Sequence, residues 1–136
     1  MRIRPCLRDT TAPAIRMRSA IHLLIVDDDR ATVDGLAELL ERAGFECDGA
    51  TSFEAAIVAM RTSPPDVLVT DVRLQAFNGL HLVRRRPVGT YAIVMSGFPD
   101  PVLQTEAVRL GASFLGKPVE TRQLLELLKH ARPPRD

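Results

Sequence analysis

Four short apolar runs, each closed by a polar group, set the pattern of this chain. Leu23-Leu24-Ile25-Val26 runs into Asp27-Asp28-Asp29, and Val67-Leu68-Val69 into Thr70-Asp71. Ala92-Ile93-Val94-Met95 runs into Ser96, and Ser113-Phe114-Leu115-Gly116 into Lys117-Pro118. Continuous apolar runs of this length, without alternation, mark strands buried on both faces, as in parallel sheets. Between them the apolar spacing changes to three and four. Val33, Leu36, Ala37 and Leu40 predict a helix over 30–43 with Gly44 as its stop. Phe53, Ile57 and Met60 predict a second, capped by Ser52 and broken by Ser63-Pro64-Pro65. Shorter helices are expected over 80–86, before Pro87, and over 101–110, with Pro101 near its first turn and Gly111 after its end. A Leu-rich helix over 120–131 completes the set. A fifth strand fits 45–50, and 72–79, punctuated by Asn78-Gly79, reads as a polar loop.

Strict alternation of strand and helix, five times over, implies a parallel sheet with right-handed crossovers and helices on both faces. In such open sheets ligands bind outside the carboxyl ends of the strands. The four polar endings therefore converge on one place, and Asp71, closing the apolar stretch 66–71, is at its centre.

Composition narrows the picture. A chain of 136 residues with 46% hydrophobic content makes one domain. No apolar run reaches the roughly 18 to 20 residues of a membrane span, and the N-terminus lacks the apolar segment of a secretory signal, so a cytoplasmic protein with no membrane partner is expected. Cys6 and Cys47 have neither disulfide-framework nor zinc-ligand spacing. Charge is uneven: Arg2, Arg4, Arg8, Arg16 and Arg18 against Asp9 give residues 1–18 a net +4, leaving −3 on the rest of a chain whose total is +1. Residues 1–19 read as a disordered basic extension, or as sequence upstream of a start at Met17; 20–131 is the folded domain and 132–136 a C-terminal tail. Arg84-Arg85-Arg86 is read as helix-end cations favoured by the macrodipole, not as a nucleic-acid patch.

Three carboxylates at one sheet edge repel one another unless a cation is bound or a proton retained. Oxygen-only ligands without His or Cys suit Mg²⁺, which uses one or two carboxylates and completes its shell with water and phosphate oxygens. A lysine and a serine at neighbouring strand ends supply a point charge and a hydroxyl donor for a phosphoryl group, and a carboxylate can then serve as the nucleophile. Singly, each residue has a plainer reading: Asp and Ser as caps or turn formers, Lys117 as a solvated charge, Phe114 as core. Their placement together, at successive strand ends, favours the chemical one.

These motifs, Leu24-Ile25-Val26-Asp27-Asp28-Asp29, Val69-Thr70-Asp71, Asn78-Gly79, Val94-Met95-Ser96-Gly97 and Gly111-Ala112-Ser113-Phe114-Leu115-Gly116-Lys117-Pro118, resemble the receiver domain of two-component response regulators, from about Ala20 to Ala131. The resemblance implies a flavodoxin-like (βα)5 fold, with a five-stranded parallel sheet of order 2-1-3-4-5 and a site at the switch point between strands one and three. By position it implies Asp71 as phosphoacceptor, Lys117 as phosphate contact, Ser96 as switch hydroxyl and Phe114 as switch aromatic. Asp27, Asp28, Asp71 and the backbone carbonyl of Arg73 would form the Mg²⁺ site, and the Lys117–Pro118 bond would be cis. Arg73 and Phe98 fall where side chains flank the approach of a hydrolytic water. Gln75 departs from the family's usual proline, and the crossover from Gly79 to Ser96 is a few residues short, which bears on the shape of the third helix and its loop.

The implied function is a phosphorelay receiver that takes a phosphoryl group from a sensor histidine kinase or phosphotransfer protein and signals to a downstream effector through protein contacts. No DNA-binding domain is expected in this chain, which stands alone or is a fragment of a longer regulator. A phosphorylation-dependent homodimer is compatible with it. It is not expected to be an enzyme beyond promoting its own phosphorylation and dephosphorylation. One alternative is a pseudo-receiver that binds partners without phosphorylation, against which the full acidic site argues. Another is a haloacid-dehalogenase-type phosphatase with Asp27 as nucleophile, against which Ala31, the lack of a later acidic pair and the short chain argue.

Overall fold

The computed structural model describes residues 20–75, 77–98 and 100–131. The expected basic extension and the tail lie outside them. Five strands alternate with five helices: β1 (His22–Val26), α1 (Arg30–Arg42), β2 (Glu46–Ala50), α2 (Phe53–Thr62), β3 (Val67–Asp71), α3 (Gly79–Arg84), β4 (Tyr91–Ser96), α4 (Pro101–Arg109), β5 (Ser113–Gly116) and α5 (Thr121–Lys129). The strands pair in parallel, as the alternation implied, in the order β2-β1-β3-β4-β5, the flavodoxin-like arrangement that the resemblance implied.

The continuous apolar runs follow from cover on both faces. Leu23, Ile25, Val67, Val69, Ile93 and Met95 point to one side and pack with Val33 and Leu40 of α1 and Leu124 and Leu128 of α5. Leu24, Val26, Leu68, Ala92 and Val94 point to the other and meet Ala56 and Met60 of α2, Leu82 and Val83 of α3 and Ala107 of α4. All five residues of β3 are buried, so its carboxyl end delivers Asp71 from a rigid base.

Helix starts follow local chemistry. Asp29, Ser52, Asn78 and Asp100 each turn a side-chain oxygen to accept first-turn N–H groups, at 3.0 Å from Ala31, 3.1 Å from Ala55, 2.7 Å from Leu80 and 3.0 Å from Val102. Gly44 and Gly111 follow their helices at φ 102° and 84°, the left-handed stop that glycine adopts at little cost.

The stretch 72–79 is not the polar loop its composition predicts. Val72 and Leu74 are buried, and Arg73–Leu74 pairs antiparallel with Phe77–Asn78 in a short ribbon whose turn holds Gln75 at φ 53°. Asn78-Gly79 is a helix start: Asn78 caps α3, and a Cβ on Gly79 would lie 2.1 Å from the Asp71 carbonyl oxygen. Helix α3 accordingly begins one residue before its predicted start and ends at Arg84.

The three arginines that close it have separate structural partners. Arg86 donates to the carbonyls of Val83, Thr90 and Leu110 at 2.9, 2.8 and 3.1 Å. Arg84 pairs with Glu106 at 3.2 Å, and the Arg85 guanidinium lies 5.7 Å from the centre of the Phe53 ring.

Candidate functional site

The strand endings meet as the pattern required. Asp27 follows β1 and is 1% exposed. Its Oδ1 accepts the Asp29 N–H at 3.0 Å, and its Oδ2 accepts from Lys117 Nζ at 2.8 Å. Lys117, carried past β5, also lies 3.3 Å from Asp71 Oδ2. One ammonium thus bridges the carboxylates at the ends of β1 and β3. Asp28 projects outward, and carboxylate oxygens of Asp27, Asp28 and Asp71 lie within 4.8 Å of one another. Thr70 locks the strand end by donating its hydroxyl to the Asp71 carbonyl at 2.9 Å.

The β4 side is organised by Ser96. Its buried hydroxyl donates to the Phe98 carbonyl at 2.9 Å and accepts the Phe98 N–H at 3.2 Å, while its carbonyl accepts the Lys117 N–H at 2.8 Å. The Lys117–Pro118 peptide is cis. Phe114, on β5, is half-buried against the core beneath α4. Ser96, Phe98, Gln104, Phe114, Lys117 and Glu126 are among the residues lining a groove of about 580 Å³ between α4 and α5.

The model of the response regulator receiver domain matches residues 23–129 of this chain. The acid tolerance regulatory protein ActR of Rhizobium meliloti is 37% identical over 110 residues, which are 78% of this chain and 57% of that protein. The transcriptional regulatory protein FixJ of Bradyrhizobium diazoefficiens is 34% identical over 117 residues, 81% of this chain and 56% of that protein. A receiver domain protein described as CheY-like, from Methanospirillum hungatei, superposes with a TM-score of 0.77 at 28% identity, covering 82% of this chain and 93% of that one. The chain belongs to the response regulator receiver family. It spans little more than half the length of the two regulators it matches.

The electrostatics of this receiver follow from its burial. Removal from water raises the Asp71 carboxyl above the usual carboxylate range and the Asp27 charge adds to this, while Lys117 and a hydrogen bond from the Arg73 amide pull it down. Burial also works against the Lys117 ammonium, but its hydrogen bond to Asp27 and the two carboxylate charges outweigh it and raise its pKa. A metal-free site with three carboxylates and one lysine keeps an excess of negative charge. Three oxygen donors this close fit a hard divalent cation, which receivers typically bind at such an acidic pocket.

Every side chain singled out from the sequence is present at this edge, Phe114 standing slightly apart along β5. Thr70 was given no role, because a threonine beside the closing aspartate carries no mark of its own. The Arg73 guanidinium lies 5.0 Å from the centre of the Phe98 ring, joining the loops after β3 and β4. Phe98 is 61% exposed, with the Arg73 guanidinium as its neighbour.

Proposed function

We propose that Asp71 is the phosphoacceptor of a phosphorelay receiver. The observation that carries this is the Asp71 carboxylate at the end of the central strand, beside the Asp27/Asp28 pair and 3.3 Å from Lys117 Nζ. An Asp71 oxygen attacks the phosphorus of a phosphohistidine; the P–N bond breaks and the imidazole leaves with the electron pair, yielding an aspartyl phosphate. Lys117 contacts a phosphoryl oxygen, and the Ser96 hydroxyl leaves the Phe98 carbonyl to donate to another. Asp28, Asp71, the Arg73 carbonyl and, through water, Asp27 would hold Mg²⁺, which neutralises charge on the transferring group. The donor is a sensor histidine kinase or phosphotransfer protein in the cytoplasm. Reorientation of Ser96 and Phe114 reshapes the face of α4, β5 and α5, and a downstream effector reads that face. The receiver turns over only its own phosphoryl group.

Incubation with acetyl phosphate and Mg²⁺, followed by intact-mass measurement, tests this. Wild type should gain one phosphoryl group and Asp71→Asn none. Uptake by Asp71→Asn, with the label mapped elsewhere, would refute the assignment.

A further inference from the structure

Away from the carboxylates, an aromatic stack joins α2 to the ribbon after β3. The rings of Phe53 and Phe77 stack with centres 4.4 Å apart and planes at 17°. His81 meets both edge-on at 6.5 and 6.4 Å, and the Arg85 guanidinium covers Phe53. Phe77 leaves 39% of its surface in water, so it contributes less burial than a core phenylalanine. What the stack supplies is orientation.

That orientation is passed toward the site in two steps. Phe77 pairs with Leu74 across the ribbon, as Asn78 does with Arg73, and the Arg73 amide donates to the Asp71 carboxylate. The ribbon's turn places Gln75 at φ 53°, a conformation that a non-glycine residue keeps where its surroundings impose it. Leu74, buried in the core, holds the first arm of the ribbon, Asn78 caps α3, and the stack holds the exposed Phe77 of the second arm. We infer that Phe53 and Phe77 are positioning residues for the chemistry at Asp71, clamping the ribbon so that the Arg73 peptide stays aligned with the carboxylate and the cation. This rests on the receiver chemistry proposed above.

The test measures Mg²⁺ affinity by titration calorimetry, and the rate of phosphoryl uptake from acetyl phosphate at saturating Mg²⁺, in the full chain. Phe77→Ala and Phe53→Ala should each weaken Mg²⁺ binding at least fivefold and slow uptake. Phe77→Tyr, which keeps a stacked ring, should stay within twofold of wild type, and the double alanine variant should be no worse than either single. If Phe77→Ala lowers Tm but leaves affinity and rate within twofold, the stack is structural only and the inference fails. Should Phe77→Ala not fold, Phe77→Leu, apolar but unable to stack, is expected to show the same loss; wild-type affinity in it overturns the clamp. Wild type that binds no Mg²⁺ and takes up no phosphoryl group overturns the receiver chemistry itself, a result distinct from equal affinities.

Discussion

The Asp71 carboxyl has a folded-state pKa above its unfolded value, because burial and Asp27 outweigh Lys117. The folded state therefore binds the proton more tightly than the unfolded chain. Stability falls as pH rises from the ordinary carboxylate value, about 3.9, through the folded one, and stays lower above it. In EDTA, Asp71→Asn should raise Tm at pH 7, and that gain should shrink as pH falls through the folded pKa toward the ordinary carboxylate value, below which it is gone. A gain that grows with acid would contradict the sign. A second residue-scale expectation concerns the life of the phosphoryl group. Arg73 and Phe98 lie together over the gap between the loops after β3 and β4, and neither can act as a base toward water. Phosphorylated Arg73→Asn/Phe98→Glu should decay faster than wild type in excess Mg²⁺, tenfold corresponding to about 1.4 kcal/mol off the barrier. Equal decay would mean that the pair does not shield the phosphorus. The acidic trio, Ser96 and Lys117 were legible in the sequence because each ends an apolar run. Thr70, Phe53 and Phe77 were not: their roles depend on which neighbours the fold brings beside them.

At the scale of elements, the apolar runs and helical spacings were enough to place every strand and helix of the main sheet within a few residues. The ribbon was missed because two residues per arm leave no periodicity to read, and because Asn-Gly serves turns and helix starts alike. Its buried Val72 and Leu74 were the available signal. The triple arginine is the reverse case, a conspicuous run whose members separate once packed. Arg86 holds three carbonyls belonging to α3, the turn before β4 and the end of α4. Arg86→Ala should cost about 2 kcal/mol in urea unfolding, the range for hydrogen bonds to a charged group. Arg84→Ala should stay within roughly 0.5 kcal/mol, since its pair with Glu106 is largely exposed. Equal losses would show that the charge run acts only as a helix-end cation cluster.

Over the whole molecule, a sheet covered on both faces supplies rigidity at its core and leaves its carboxyl edge to carry unfavourable charge. Relieving that charge should stabilise everything beneath it. With Mg²⁺ at about 100 times its dissociation constant the fold should gain roughly 2.7 kcal/mol, seen as a Tm rise on the order of 10 °C. Asp28→Ala should abolish most of the rise; an equal rise in that variant would move the cation elsewhere. The site has one further property. The bond from Lys117 to Asp27 joins residues 90 positions apart, across nearly the whole described chain. Contacts of such sequence separation form late, after the entropy of closing the intervening loops has been met by strand pairing. A chain still emerging from synthesis, or one cut before β5, therefore exposes its carboxylates without their bridging cation. If Asp71 takes the phosphoryl group as proposed, a receiver made only as far as β4 should accept none, and uptake should begin once the last strand docks.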